Sequence, residues 1–265
     1  MFIADYHFHT SGSFDGKDGL PEYIRQAEQK GISEICVTNH YECGTGLRRE
    51  NASLFALRDE YWKAVSGNRQ SPVTVRFGVE LGEPLHDKGA AEVAVCEGHF
   101  DFIIASLHYI RGCPVFGKID FRSPDPADYA ERYYDELEEI IDWGKFDVLG
   151  HLNYFERHAA RQGVRLDMEK YFPRLADLFV KLIEKGKGIE VNTSGLFGPQ
   201  ASTMPDEAVL RLYRGLGGRI VTVGSDSHEA QNVGRGFEQA VAMLKRAGFD
   251  SITVFEERTP RQIKI

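Results

Sequence analysis

Histidines and carboxylates recur along this chain where short apolar segments end. His7 and His9 follow the first segment, and their spacing of two residues directs both imidazoles to the same side of an extended chain. Two imidazoles placed in this way can bind one metal ion together. Asp15 lies in the loop after the first segment, and the ends of later apolar segments supply the remaining candidates: His40, Glu80, His108, His151, Asp226 and His228.

Taken singly, each of these residues has an ordinary structural explanation. A strand-end histidine commonly forms only a hydrogen bond, Glu80 could form a salt bridge, and Asp226 could cap the helix that follows it. Coincidence does not explain six of the nine histidines at the same position of successive segments. The combined set of nitrogen and oxygen ligands exceeds the needs of one ion. We therefore predict two or three divalent transition-metal ions, of zinc, manganese or iron, with Glu80 bridging two of them.

The elements that must position these residues alternate between two types. Apolar segments predict seven strands, at residues 2–6, 34–38, 73–79, 102–106, 146–150, 188–191 and 220–223. Amphipathic segments between and after them predict seven helices, at residues 20–30, 52–66, 90–96, 126–143, 168–185, 205–216 and 229–247. Near-continuous apolar strands that alternate with helices are typical of a parallel sheet covered on both faces.

This alternation predicts an α/β fold with a closed or nearly closed barrel, in a single domain of residues 1–265. A doubly wound open sheet is the alternative, but His-Phe-His-Thr follows the first strand where such a sheet has a Gly-rich phosphate loop. The carboxyl ends of parallel barrel strands open onto one face, where active sites of this architecture lie. The candidate ligands are expected to meet there. Three histidines lie outside the pattern and are expected to have structural roles: His86, His99 and His158.

The composition excludes several classes of protein. The 265 residues are 42% hydrophobic and 27% charged, which is typical of globular rather than disordered chains. No segment approaches the roughly 20 apolar residues of a membrane span, and the first residues lack the pattern of a signal peptide. A formal net charge of −8 without a Lys/Arg run argues against non-specific nucleic-acid binding. We expect a cytoplasmic protein with no membrane or nucleic-acid partner, and the oligomeric state stays open.

Seven motifs follow one another along the chain: His7-Phe8-His9-Thr10, Ser13-Phe14-Asp15-Gly16, Thr38-Asn39-His40, Gly78-Val79-Glu80, Ser106-Leu107-His108, Gly150-His151 and Gly224-Ser225-Asp226-Ser227-His228. In this order they resemble the polymerase and histidinol phosphatase (PHP) superfamily. The likeness extends almost from end to end, and within the superfamily it is greatest to the monofunctional histidinol-phosphate phosphatases. The resemblance implies a distorted seven-unit TIM-like (β/α) barrel whose site normally holds three metal ions.

The resemblance also implies how the ligands divide among the ions. One ion would be held by His7, His9, Glu80 and Asp226. A second would share Glu80 and be held also by His108 and His151. The third would be held by Asp15, His40 and His228, where Asp15 stands at a position that is histidine in some members. The catalytic residues implied in this way are Glu80, Asp226 and His228.

The implied substrate contacts are less complete than the implied ligands. Arg157 matches an arginine that similar phosphatases direct at the phosphate, and we assign Arg161 and Asn192 to the same group. A second arginine of such enzymes is missing, because Phe197 stands near its position. Arg161 or Arg235 could compensate for it. Phe197 could pack against the organic part of a substrate or only fill a gap beneath its loop.

The function implied by the resemblance is hydrolysis of a small phosphorylated substrate, with L-histidinol phosphate, an intermediate of histidine biosynthesis, as the favoured one. A related phosphoesterase that acts on a nucleotide or sugar phosphate is the alternative within the family. A non-catalytic PHP module would be marked by lost ligands, and every ligand position is filled here. Metal-dependent amide or amine hydrolases also use barrel-end histidines, but they lack the Ser-Phe-Asp-Gly segment.

Overall fold

Parallel strands form the central sheet of the structure, a computed structural model that describes residues 1–44, 52–123 and 126–265. In chain order these strands are β1 (Ala4–Asp5), β2 (Glu34–Val37), β3 (His40–Glu42), β4 (Thr74–Gly82), β5 (Phe102–Ser106), β6 (Val148–Leu149), β7 (Gly188–Asn192) and β8 (Val221–Gly224). Within the sheet the order is β1-β2-β4-β5-β6-β7-β8, and the short β3 pairs with β4. Every pair in this sheet is parallel.

Backbone hydrogen bonds bring the two ends of this sheet together. The Tyr6 amide donates to the Val223 carbonyl oxygen at 2.9 Å, and the Asp226 amide donates to the His7 carbonyl oxygen at 2.7 Å. The seven-stranded sheet is therefore nearly closed into a barrel. The predicted fold class, a distorted seven-unit α/β barrel, is confirmed.

Helices follow the strands and pack their apolar faces onto the barrel. They are α1 (Leu20–Gln29), α2 (Leu54–Gly67), α3 (Lys88–Glu97), α4 (Pro126–Trp143), α5 (Tyr154–Arg161), α6 (Phe172–Glu184), α7 (Glu207–Gly215) and α8 (Phe237–Arg246). In α6 the buried residues recur at helical spacing: Leu175, Leu178, Phe179 and Leu182. Burying each such side chain contributes about 1.5–3 kcal/mol. Within the described residues, no helix has the length and apolarity needed to cross a membrane.

Two predicted helices are shorter in the structure because their first turns are not α-helical. The segment predicted at residues 229–247 begins with a single 3₁₀ turn, and α8 starts only at Phe237. Gly234 and Gly236 separate the two parts with φ angles of +70° and +83°, which an α-helix does not accommodate. The segment predicted at residues 168–185 also begins as a 3₁₀ turn, and α6 starts at Phe172, just before Pro173.

Among the strands and α-helices of the described residues, three features were not predicted from the sequence. One is β3, so that His40 begins a short strand of its own instead of ending the second strand. Another is the eight-residue helix α5, which follows β6. The third is an antiparallel hairpin of β9 (Ser251–Glu256) and β10 (Thr259–Lys264). The hairpin is attached to the barrel by the Phe255 amide, which donates to the Tyr6 hydroxyl oxygen at 2.8 Å.

Candidate metal centre

The carboxyl ends of the barrel strands surround a cavity of about 360 Å³. Seven of the predicted ligands line this cavity: Asp15, His40, Glu80, His108, His151, Asp226 and His228. His7 and His9 lie beneath them and are fully buried. All nine predicted ligands therefore meet at one end of the barrel, as expected for parallel strands.

The first group of side chains consists of the two histidines after β1 and two carboxylates. The Nε2 atoms of His7 and His9 are 3.2 Å apart. Glu80 Oε2 lies 3.4 Å from the former and 3.6 Å from the latter. Asp226 Oδ1 lies 3.8 Å from His7 Nε2 and 3.4 Å from His9 Nε2. The four side chains thus point their polar atoms at a common centre.

The second group uses the other oxygen of Glu80. Its Oε1 atom lies 2.9 Å from His151 Nε2 and 3.3 Å from His108 Nε2. The two oxygens of one carboxylate therefore face two different groups of histidines. This is the geometry that a bridging ligand requires.

The third group lies around Asp15. Its Oδ2 atom is 3.3 Å from His228 Nε2 and 3.6 Å from His40 Nε2. The groups are contiguous, because the His9 and His40 rings stack with centroids 4.1 Å apart and His40 Nδ1 lies 2.8 Å from Glu80 Oε2. His9 and His40 each therefore contact members of two groups.

Several buried polar atoms of these groups have no aligned hydrogen-bond partner among the described residues. They include Asp15 Oδ1 and Glu80 Oε2. Buried polar groups in native proteins are almost always paired, so such orphaned atoms call for an explanation. Carboxylate oxygens and imidazole nitrogens that converge in this way fit divalent transition-metal ions.

The electrostatics of the groups favour a positive charge at their centre. Burial raises the pKa of Glu80, but the neighbouring charges of His7, His40 and His108 outweigh it and hold this pKa well below its usual range. Burial, reinforced by the charge of His40, lowers the pKa of His9 to about 3. Near neutral pH, Glu80 is therefore an ionised carboxylate and His9 a neutral imidazole. Burial lowers the pKa values of His7, His40 and His108, but the neighbouring carboxylates outweigh it and raise them, so these rings would release protons when a metal ion binds.

Glu190 supports two of the predicted ligands and was given no role in the sequence analysis. It is fully buried in the middle of β7, its Oε1 lies 2.7 Å from His7 Nδ1, and its Oε2 accepts a 2.7 Å hydrogen bond from the His151 amide. Carboxylates that contact the second nitrogen of a ligating histidine orient its ring. The only available sequence signal was its position near the end of the strand predicted at residues 188–191.

Asp226 reaches the centre through an unusual backbone conformation. Its φ angle is +52°, in the left-handed region that aspartate tolerates better than most residues. Gly224, two residues earlier, has no room for a side chain, because a Cβ there would lie 2.2 Å from Glu190 Oε1 and 2.3 Å from His7 Cβ. Glycine at this position is therefore needed for steric reasons.

Two arginines of α5 line the cavity beside these groups. Arg157 Nη1 lies 3.7 Å from Asp226 Oδ2 and 3.3 Å from Ser194 Oγ, to which it donates a hydrogen bond. Arg161 lies one helical turn further along and is exposed at the cavity rim. The structure therefore places both arginines where an anionic ligand of the cavity could meet them.

Asn192 and Phe197 lie outside the described lining of the cavity. Asn192 is fully buried, its amide oxygen accepts a 2.6 Å hydrogen bond from the Ser194 hydroxyl, and it is not among the described residues that line the cavity. Phe197 is 43% exposed, and the Arg235 guanidinium lies 3.5 Å above its ring centroid. Asn192 thus contacts Arg157 indirectly, through the Ser194 hydroxyl, and Phe197 with Arg235 forms a cation–π pair outside the cavity lining.

His158, expected to have only a structural role, lies in the cavity wall. It is 9% exposed, packs against the rings of Phe116 and Tyr154, and its buried Nε2 has no hydrogen-bond partner among the described residues. Burial, followed by the charges of Arg161 and Arg157, lowers its pKa to about 4. Part of the cavity lining is therefore aromatic, with Tyr154 next to the candidate ligands, because its ring centroid is 4.6 Å from that of His151.

Two further carboxyl groups contact the histidines and were also not predicted. Glu42 Oε1 lies 3.2 Å from His40 Nδ1 and 3.5 Å from His108 Nδ1. Glu83 Oε1 accepts a hydrogen bond from the His108 amide and lies 3.4 Å from His108 Nδ1. Burial, followed by the negative charge of Glu42, raises the pKa of Glu83 to about 8.

Comparison with known proteins gives consistent results. The PHP domain family matches residues 5–194. A Thermotoga maritima protein named "Probable histidinol-phosphatase" is 30% identical over 255 residues, which cover 95% of this chain and 95% of that protein. A Lactococcus lactis protein named "Histidinol-phosphatase" is 25% identical over 260 residues, which cover 96% of this chain and 95% of that protein.

A solved structure shares the fold over nearly the full chain. It is the crystal structure of histidinol phosphate phosphatase from Lactococcus lactis in complex with zinc, L-histidinol and phosphate. The TM-score is 0.85 at 24% identity, with 98% of each chain covered. At this level of identity, the likeness itself establishes the barrel architecture.

Proposed function

Because this chain belongs to the PHP domain family, we propose that it is a metal-dependent phosphatase that hydrolyses L-histidinol phosphate to L-histidinol and phosphate. The observation that carries the proposal is the convergence of all nine predicted ligands beside Arg157 at one cavity. The names of full-length relatives support the choice of substrate.

The ligand groups described above would hold two or three divalent ions of zinc, manganese or iron. The first ion would be held by His7, His9, Glu80 and Asp226, the second by Glu80, His108 and His151, and the third by Asp15, His40 and His228. Bound ions of this kind lower the pKa of an attacking water toward neutrality and neutralise charge on phosphate oxygens. The protein's own contribution is to hold the carboxylates ionised and the imidazoles in place.

The remaining cavity residues match the two halves of the proposed substrate. Arg157 presents a planar, permanently charged group next to the metal-binding carboxylate Asp226, which suits a phosphate. Arg161 adds positive charge at the rim. The aromatic wall of Phe116, Tyr154 and His158 suits the flat imidazole ring of histidinol.

Kinetics on a panel of phosphomonoesters test this proposal. We expect kcat/KM for L-histidinol phosphate to exceed the values for p-nitrophenyl phosphate, nucleoside monophosphates and sugar phosphates. A preference for a nucleotide or sugar phosphate would favour the related phosphoesterase instead. Protein that contains bound metal but hydrolyses none of these esters would contradict a phosphatase function.

Arg157→Ala is expected to lower kcat/KM for every phosphomonoester substrate. The variant loses a charge-assisted hydrogen bond to phosphate, which contributes about 1.5–3 kcal/mol, so kcat/KM should fall roughly 10- to 150-fold on both L-histidinol phosphate and p-nitrophenyl phosphate. Arg165→Ala is a matched control, because this exposed arginine is outside the described lining of the cavity. Unchanged kinetics of Arg157→Ala would remove this residue from the phosphate site.

Phe197→Ala is expected to leave substrate preference unchanged. Its ring contacts Arg235 outside the cavity lining, and exposed substitutions of this kind change free energies by about 0.5 kcal/mol or less, or roughly twofold in rate. The kcat/KM ratio between L-histidinol phosphate and p-nitrophenyl phosphate is the measurement. A selective loss on L-histidinol phosphate would instead show that Phe197 contacts the organic part of the substrate.

A further inference from the structure

Glu42 lies at the base of the cavity, between ligands that belong to two different proposed ions. It is two residues after His40 in β3, so both side chains point to the same side of the strand. The Glu42 side chain is only 2% exposed. A carboxylate so deeply buried must be compensated by its surroundings.

The distances from Glu42 distinguish the two nitrogens of each neighbouring histidine. In His40, Nε2 faces Asp15 at 3.6 Å and Nδ1 faces Glu42 Oε1 at 3.2 Å. In His108, Nε2 faces Glu80 Oε1 at 3.3 Å and Nδ1 faces the same Glu42 atom at 3.5 Å. Each histidine thus presents Nε2 to a proposed ion and Nδ1 to Glu42.

Two other carboxyl groups lie near these Nδ1 atoms. Glu80 Oε2 is 2.8 Å from His40 Nδ1, but it also faces the Nε2 atoms of His7 and His9, where a cation would engage it. Glu83 Oε1 is 3.4 Å from His108 Nδ1, but the same oxygen also accepts a hydrogen bond from the His108 amide. With Glu80 engaged by ions, Glu42 is the carboxylate that both Nδ1 atoms share.

The chain leaves little freedom for the Glu42 carboxylate to move elsewhere. A Cβ atom on Gly82, which pairs with Glu42 across β3 and β4, would lie 2.2 Å from Glu42 Oε2. Glycine at this position therefore makes room for the carboxylate.

We propose that Glu42 is a positioning residue that accepts hydrogen bonds from the Nδ1–H groups of both His40 and His108, so that both rings present Nε2 to the second and third ions. The inference rests on the metal centre of the proposed function. Outer carboxylates of this kind set the tautomer and orientation of a ligating histidine, and their loss commonly costs 10- to 100-fold in metal affinity. Here one carboxylate links two ion sites.

Competition between the protein and a chromophoric chelator for Zn²⁺ tests the proposal. In Glu42→Gln, which keeps the shape but removes the charge, we expect two of the bound ions to lose affinity about 10- to 100-fold. The ion held by His7, His9 and Asp226 should keep its affinity. Glu136→Gln is the matched control, since Glu136 is also a buried glutamate and lies 2.8 Å from the non-ligand His86. This variant should bind every ion with the affinity of the unmodified protein.

Wild-type affinity for every ion in Glu42→Gln would overturn the proposal, as would an equal loss at all sites. A measurement on the unmodified protein covers the case in which this variant does not fold. Long-range ¹H–¹⁵N spectra of the zinc-loaded protein should show His40 and His108 protonated on Nδ1, and either residue protonated on Nε2 would contradict the role of Glu42. If zinc binds as expected but no phosphomonoester is hydrolysed, the proposed function fails while this inference stands.

Discussion

Glu80→Gln is expected to lower the turnover number by at least ~10³-fold, comparable to the loss of a major electrostatic contribution to catalysis. The two oxygens of Glu80 face different histidine groups, with Oε1 2.9 Å from His151 Nε2 and Oε2 3.4 Å from His7 Nε2. A neutral amide of the same shape cannot bridge two cations as an anion does. The measurement is kcat on L-histidinol phosphate at saturating substrate and metal.

Folding of Glu80→Gln should largely survive, because the side chain lies among polar groups at the end of the barrel and not in its apolar core. Thermal unfolding followed by circular dichroism checks this point. Glu97→Gln, an exposed glutamate on α3, is the matched control and should retain full turnover. Near-normal turnover of Glu80→Gln with bound metal would exclude Glu80 from the site.

Removal of metal ions is expected to abolish phosphatase activity and to lower stability. Without cations, the carboxylates of Glu80, Asp226 and Asp15 lose the ions that would hold them together at the end of the barrel, and only the neighbouring histidines compensate their charge. An ion present at 100 times its Kd stabilises the folded state by about 2.7 kcal/mol, so each ion lost should lower the Tm by roughly 5–10 °C. Activity and Tm should both return when zinc, manganese or iron is added back.

Metal analysis provides the stoichiometry for the same experiment. We expect two or three ions per chain in protein prepared without chelators, at about 2.0–2.3 Å from the ligand atoms named above. Less than one ion per chain would contradict the proposed centre. Full activity after chelation, with no metal detected, would contradict metal dependence altogether.

Much of the barrel could be predicted from the sequence because its strands are short, apolar and separated by amphipathic helices. The predicted strand at residues 102–106 coincides with β5, and the predicted helix at residues 126–143 coincides with α4. Errors occur where local pattern and backbone geometry conflict. Gly234 and Gly236 interrupt a helical pattern with positive φ angles, and β3 is too short for any periodicity to indicate it.

The sequence alone determined which residue types stand at the ends of the strands. Parallel strands bring these ends together whatever the details of packing, so the convergence of His7, His9, Glu80 and Asp226 followed from their order along the chain. The spacing of His7 and His9 also determined that their rings share one side. No tertiary information was needed for either step.

Tertiary structure alone decided which groups hold those ligands in place. Glu190 lies 183 positions from His7 along the chain yet contacts its Nδ1, and Asn192 turns to Ser194 instead of the cavity. Glu42 lies between His40 and His108 because β3 pairs with β4 next to β5. The physical reason is that the direction of a side chain beyond Cβ depends on the volume and charge that distant segments leave around it, which local sequence patterns do not record.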